Sequence, residues 1–221
     1  KIDRVTPDVA IVSIQLPASE RLQFRAGQYM DFILKDGARR QYSMATAPHA
    51  DELIQLHIRH TPGGAFTDRL FGVVEPPVKE RDILRIEAPL GTFFLREDNA
   101  RPIVLLAGGT GFAPIKAIAE HIFHERINVD ESGKPAREVR LYWGARAAQW
   151  AAGQPNFRYV PVLSEPKAED AWTGRTGFVH RAVIEDLPDQ SDWQVYACGA
   201  PAMIDAARRD FVAQCGLPED Q

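Results

Sequence analysis

Cysteine is scarce in this chain. Its 221 residues include two, Cys198 and Cys215, and they form no Cys-x-x-Cys pair. The chain cannot supply four thiolates to an iron–sulfur cluster or to a four-cysteine zinc site. So little cysteine fits a reducing cytoplasm better than a secreted, disulfide-built domain. Positive charge is also short: 26 Lys and Arg stand against 30 Asp and Glu, for a net charge of −4. Nucleic acid is therefore not an expected partner, because its phosphates are bound through cations. Long apolar runs are missing. Ile103 to Ala107 is far short of the roughly 20 apolar residues that span a bilayer, so no membrane anchoring is expected. No apolar block follows Lys1 to suggest a secretory signal. What remains is 45% hydrophobic and 25% charged, with 16 Gly and 16 Pro. That composition excludes collagen-like, coiled-coil and disordered chains, and the length suits one large domain or two ordinary ones.

The first hundred residues read as short strands. Ala10, Val12, Ile14 and Leu16 alternate, as do Met30, Phe32 and Leu34, then Ile54, Leu56 and Ile58, then Leu84, Ile86 and Ala88. Such alternation places apolar side chains on one face of a strand. Turn residues punctuate them, at Asp36-Gly37, Pro62-Gly63-Gly64 and Pro76-Pro77, which predicts a barrel or sandwich. A short helix is expected from Thr67 to Phe71. Near Arg101 the pattern changes. Ile103 to Ala107 is continuously apolar, as a buried parallel strand is, and Ile115, Ile118, Ala119, Ile122 and Phe123 then recur at helical spacing. Further strands are expected at Val139–Trp143, Phe157–Leu163 and Gln194–Cys198, with helices at Phe178–Leu187 and Pro201–Gln214. Alternating strands and helices make a parallel α/β domain. The predicted organisation is an antiparallel β-barrel over residues 1–99 and a Rossmann-like parallel-sheet domain over 100–221.

Four segments carry chemistry. Gly108-Gly109-Thr110-Gly111-Phe112-Ala113-Pro114 follows a buried strand and opens a helix. Backbone N–H groups and the helix dipole favour a phosphate there, and glycine lets the backbone approach a pyrophosphate; this reading is preferred over a ligand-free connection because the strand–turn–helix context matches. Arg40-Gln41-Tyr42-Ser43 offers a guanidinium fork, a flat ring and a hydroxyl, though taken singly it reads as an exposed strand. His57 to Thr67 runs an alternating strand through Gly63-Gly64, which read alone is a tight turn. Tyr196-Ala197-Cys198-Gly199-Ala200-Pro201-Ala202-Met203 places Cys198 at the carboxyl end of a strand, where open α/β sheets bind ligands; a free Cys is otherwise a small buried hydrophobe.

In order and spacing these four segments resemble the ferredoxin–NADP reductase superfamily, and the resemblance covers essentially the whole chain. The stretch Glu87-Ala88-Pro89-Leu90-Gly91-Thr92-Phe93-Phe94-Leu95 looks like the family's inter-domain segment. The resemblance implies FAD on the barrel and a nicotinamide nucleotide on the α/β domain. It implies that Arg40 pairs with the FAD diphosphate, that Tyr42 stacks on the isoalloxazine and that Ser43 bonds near flavin N5. Gly63, Gly64 and Thr67 would cradle the diphosphate, and His57 and Arg59 would line the flavin and its ribityl chain. Gly109, Thr110 and Gly111 would receive the nucleotide pyrophosphate, while Cys198 and Gly199 would flank the nicotinamide. The catalytic set so implied is Tyr42, Ser43 and Cys198. Ser164-Glu165 stands where NADP-using relatives carry Ser-Arg, so NADH is expected over NADPH: a carboxylate repels a 2′-phosphate and accepts from a free ribose hydroxyl. Arg146 is the counter-signal.

The chain departs from the family at a shortened segment, Ala145 to Gln149, and in having no aromatic residue at its end, Gln221, to cover the flavin. It also carries no iron–sulfur domain, and the start at Lys1 is compatible with one having been removed. The expected function is NADH oxidation through FAD toward a [2Fe–2S] centre on a missing domain or ferredoxin-like partner. That partner would serve a dehydrase acting on CDP-6-deoxy sugars or an aromatic or alkane oxygenase. Two further readings are a reductase of free flavins, which would need no cluster, and a non-catalytic FAD-binding subunit. His121 and His124 have no further ligands to make a metal site expected, and Trp143, Trp172 and Trp193 read as packing residues.

Overall fold

A computed structural model describes residues 1–144 and 153–221. The chain divides into two compact units: Lys1–Leu95 with Lys116–His121, and Arg96–Ile115 with Ile122–Gln221.

The first unit holds six strands, β1 (Ile2–Thr6), β2 (Val9–Ile14), β3 (Tyr29–Ile33), β4 (Arg39–Ser43), β5 (Ile54–Arg59) and β6 (Ile86–Leu90), and the short helix α1 (Thr67–Leu70). They form two antiparallel three-stranded sheets, ordered β1-β2-β5 and β4-β3-β6. A bridge between Met44 and Leu56 links the end of β4 to β5. Both sheets feed one core: Ala10, Val12, Ile54, Leu56 and Ile58 from the first meet Met30 and Phe32 from the second, with Phe66 and Leu70 closing it at α1. The expected alternation is what builds this core, since Ala10 and Val12 of β2 and Ile54, Leu56 and Ile58 of β5 are buried while the residues between them are not. Three expected strands overrun their real bounds: Leu16 and Leu34 lie beyond β2 and β3, and Leu84 precedes β6. The edge strand β1 has mostly exposed side chains and no apolar period, so nothing in its sequence announced it.

The second unit is a parallel sheet ordered β10-β9-β8-β7-β11, made of β7 (Ile103–Ala107), β8 (Val139–Trp143), β9 (Phe157–Leu163), β10 (Arg175–Thr176) and β11 (Gln194–Cys198). Helices α2 (Phe112–His124), α3 (Val179–Asp186) and α4 (Pro201–Cys215) complete it. All five residues of β7 are buried, as expected of a central parallel strand covered on both faces. Val104, Leu106 and Tyr142 pack with Val183 of α3 and with Ala207 and Phe211 of α4. Pro201 occupies the first turn of α4, where its missing N–H removes no bond. In register, Cys198 of β11 lies beside Ala107 of β7, which lies beside Trp143 of β8. The carboxyl ends of three strands thus share one edge, and the glycine-bearing turns leave from it. Among the described residues no helix is long and apolar enough to cross a membrane.

Candidate functional site

In the first unit, β4 presents Arg40 and Tyr42 on one face and Ser43 on the other, as strand alternation requires. The Tyr42 ring packs 5.0 Å from Phe32 and 5.8 Å from Phe66, tilted to both. Burial pushes its phenol up to about 12, so it remains a hydrogen-bond donor at neutral pH. The two adjacent arginines differ sharply. Arg39 is committed to carboxylates, at 3.0 Å from Asp31 and 2.6 Å from Glu87. Arg40 donates only to the Arg39 carbonyl, at 2.8 Å, and makes no ion pair among the described residues. The guanidinium left for an anion is therefore that of Arg40. Ser43 stands opposite Tyr29 of β3.

On β5, His57 and Arg59 share the face opposite the buried Leu56 and Ile58. Burial, and secondarily the charge of Lys116, lowers His57 to about 4, so the imidazole is neutral at pH 7. Arg59 pairs with Asp8 at 3.4 Å, both half-exposed. His60 does not continue the strand onto the other face, because β5 ends at Arg59. Its ring turns to Asp68, at 2.8 Å. Between them lies the double-glycine turn. Gly63 has φ +78°, which favours glycine. A Cβ at Gly64 would overlap the Thr67 hydroxyl and lie 2.8 Å from the Thr61 carbonyl. The Thr67 hydroxyl donates to that same carbonyl at 2.9 Å and accepts from the Thr61 N–H at 3.2 Å. Thr67 therefore holds the turn's own backbone rather than presenting an uncommitted hydroxyl proton.

In the second unit, the expected nucleotide turn and the end of β11 come together. The Gly108 N–H donates to the Cys198 carbonyl at 2.9 Å. Residues Gly109–Gly111 make one 3₁₀ turn leading into α2, in which the Gly111 N–H donates to the Gly108 carbonyl at 3.0 Å. A Cβ at Gly111 would overlap the Cys198 carbonyl oxygen and lie 2.7 Å from the Gly199 nitrogen. Glycine at 111 is thus required by a protein backbone, and its N–H is already engaged. A Cβ at Gly108 would lie 2.8 Å from the Met203 sulfur, and one at Gly199 would lie 3.1 Å from the Gly108 Cα. Burial raises the Cys198 thiol, so it is a neutral, partly covered group and no ready nucleophile.

A cavity of about 420 Å³ opens at this edge, lined by Gly108, Gly109, Ser164, Phe178, His180 and Met203 among others. Its volume lies within the range usual for small-molecule pockets. Ser164 and Glu165 follow the carboxyl end of β9 and are exposed; Ser164 lines the cavity and Glu165 lies just beyond the lining. Met203 closes the fourth of the sequence segments, whereas Phe178 and the buried His180 had no motif to mark them. Arg146 and the shortened segment Ala145–Gln149 lie outside the described residues. Among the described residues no group of three or more His, Cys, Asp or Glu could hold a metal ion. Cys215 is buried at the end of α4. Trp143 stacks on Phe112 at 3.6 Å, and Trp193 lies under the Arg140 guanidinium.

The chemistry of these donors fits the two implied nucleotides. The Arg40 guanidinium, without a carboxylate partner among the described residues, suits a diphosphate, and a glycine turn at the carboxyl edge of a parallel sheet suits a second one. Comparison with known proteins agrees. The oxidoreductase FAD-binding domain family matches residues 1–95, and the oxidoreductase NAD-binding domain family matches residues 105–209. A CDP-6-deoxy-L-threo-D-glycero-4-hexulose-3-dehydrase reductase of Yersinia pseudotuberculosis is 46% identical over 100% of this chain and 64% of its own length. Reductase component 2 of a terephthalate 1,2-dioxygenase from Comamonas is 36% identical over 91% of this chain and 59% of its own. The crystal structure of the Amycolatopsis cytochrome P450 reductase GcoB superposes with a TM-score of 0.79 at 34% identity, over 96% of this chain and 63% of that one. The chain spans less than two thirds of the length of each of these relatives. Barrel and parallel sheet together define a flavin- and nicotinamide-nucleotide-binding oxidoreductase module. The chain belongs to the ferredoxin reductase family.

Proposed function

We propose that this chain is the reductase module that draws electrons from NADH through FAD for a [2Fe–2S] centre carried by a further domain or a ferredoxin-like partner. The observation that carries the reading is the backbone contact between the Gly108–Gly111 turn and Cys198-Gly199 at the edge of an open cavity. Two motifs far apart in sequence are thereby held together, and Gly108 and Gly109 of the turn line the cavity. When bound, FAD supplies the chemistry that converts a hydride donor into single electrons.

The residues have orienting tasks, which is how such a module accelerates transfer. Arg40 neutralises the FAD diphosphate, with Gly63, Gly64 and Thr67 shaping the turn beside it. Tyr42, fixed against Phe32 and Phe66, offers a face to the flavin ring. Ser43 donates or accepts near N5, and His57 and Arg59 line the flavin side of β5. Gly109 and Thr110 receive the pyrophosphate of the nicotinamide nucleotide. Gly111 supplies closeness to β11, and Cys198 and Gly199 border the nicotinamide. Glu165 favours the free ribose hydroxyl of NADH over a 2′-phosphate.

The preferred pathway is 3-deoxygenation of a CDP-linked 6-deoxy sugar, supported by 46% identity to the Yersinia reductase. A second reading, the reductase of an oxygenase, is supported by the Comamonas relative and by GcoB. The two free cysteines suit the reducing cytoplasm as its place of work.

Anaerobic stopped-flow mixing with NADH tests the core of this reading. The purified protein should be yellow after desalting, and its absorbance should bleach on mixing. A colourless protein that reduces added riboflavin would replace bound FAD with free flavin as substrate, and a yellow protein that does not bleach would leave a non-catalytic flavin carrier. Coupled assays with a CDP-sugar dehydrase and with an oxygenase would separate the two pathways.

A further inference from the structure

Neither Asp68 nor His60 was given a role by the sequence, yet together they grip the double-glycine turn. One carboxylate oxygen of Asp68 accepts from the Gly63 N–H at 3.1 Å. The other accepts from His60 Nε2 at 2.8 Å. Both side chains are largely covered, at 13% and 20% exposure. Each end of the bracket is anchored. The His60 N–H donates to the Asp8 carbonyl at 2.7 Å, and the Asp68 N–H donates to the Gly64 carbonyl at 2.9 Å. The His60 ring lies 5.0 Å from that of Phe71, which the Arg4 guanidinium covers on the way to the Leu70 carbonyl. On the other side of the turn, Thr67 ties both polar groups of Thr61.

Two consequences follow. The N–H groups of Gly63 and Gly64 are spent inside the protein, on Asp68 and on the Thr61 carbonyl. They shape the turn and are not themselves anion donors. The turn's unusual backbone, with Gly63 at φ +78°, is moreover held by side chains before any ligand arrives. A site so braced needs no ordering when it binds, and the ordering of a loop is a main cost of association. Supporting side chains that lock a binding constellation act in this way.

We infer that Asp68, oriented by His60, is a positioning residue that pre-forms the double-glycine turn for a diphosphate, so that it sets the preference of this chain for FAD over flavins lacking the adenylyl diphosphate. The inference rests on the FAD reading above. Asp68 does not touch the ligand; it acts through Gly63, and His60 acts through Asp68. Asn at 68 retains an acceptor for the Gly63 N–H, and Gln at 60 retains a donor where Nε2 stands. Ala at either position removes its link.

The test is titration of FAD and of riboflavin into this chain, read by quenching of flavin fluorescence. The wild type should bind FAD more tightly than riboflavin. Asp68→Ala should lose about tenfold or more of that preference, the scale expected for one charge-assisted hydrogen bond, with riboflavin affinity unchanged. His60→Ala should lose part of it, and Asp68→Asn and His60→Gln should keep most of it. Asp68→Ala with an intact preference would overturn the inference. So would equal losses for FAD and riboflavin, because that is general damage to the unit. A wild type that does not distinguish the two flavins would overturn the FAD reading itself, independently of Asp68.

Discussion

Gly111 and Cys198 meet backbone to backbone: a Cβ on Gly111 would occupy the space of the Cys198 carbonyl oxygen, whose lone pair already takes the Gly108 N–H. The contact joins the start of α2 to the end of β11, although 87 positions separate the two residues in sequence. It makes the nucleotide edge of the parallel sheet a fixed structure rather than two independent loops.

Gly111→Ala should therefore damage both fold and site. Forcing a methyl group into closed backbone costs about 1–3 kcal/mol. The melting temperature should fall and the KM for NADH should rise, while FAD content stays near wild type. Calorimetry and steady-state kinetics would show it. An unchanged melting temperature would mean that the two segments separate readily.

Tyr42→Ala should release flavin and lower stability together, since the ring packs against Phe32 and Phe66. Loss of a part-buried aromatic ring costs roughly 2–4 kcal/mol. Tyr42→Phe should keep the stability and most of the flavin. The flavin-to-protein absorbance ratio after gel filtration, with a urea midpoint for each variant, separates the two effects. A fully flavinated Tyr42→Ala protein would remove this residue from the flavin face.

Glu165→Arg should move preference from NADH toward NADPH by about tenfold, the scale of one charge reversal near a 2′-phosphate. Glu165 is exposed, so the gain should shrink as salt is raised. The ratio of kcat/KM values for the two nucleotides at low and high ionic strength is the measurement. No change would shift the discrimination to other residues.

His57 predicts a pH dependence of folding for the flavin-free chain. Its folded-state value, about 4, lies below the ordinary 6.5, chiefly through burial and then through Lys116. Between these values the unfolded state binds more protons, so stability rises with pH. The contribution is complete above pH 6.5 and is lost as pH falls toward 4. Urea midpoints measured across that window should decline for wild type and decline less for His57→Gln. Identical slopes would show that His57 does not titrate in the folded state as its burial implies.

Much of this was legible in the chain because both periodicities were clean. The alternation in β2 and β5 and the unbroken run of β7 mark half-buried and fully buried strands respectively; β5 and β7 stand where they were expected, and β2 stops short of Leu16. β1 was not legible, since a mostly exposed edge strand has no apolar period to read. The end of β5 was not legible either, since the residue types carry no stop signal between Arg59 and His60. The adjacent arginines could be told apart only by resemblance until Asp31 and Glu87 were seen to claim Arg39.

By itself, the order of residues determined the two-part architecture, most of the strands and helices, and the glycine, arginine and cysteine segments that are candidates for chemistry. These properties are local, set by side-chain period and backbone freedom over a few residues. Only the tertiary structure decided which groups are still available. It spent the Gly63 and Gly111 N–H groups inside the protein, closed Thr67 onto Thr61, left Arg40 without a carboxylate among the described residues and bonded Asp68 to the turn. Availability depends on partners brought from distant positions, and no local pattern encodes which partner a donor will meet when the chain closes.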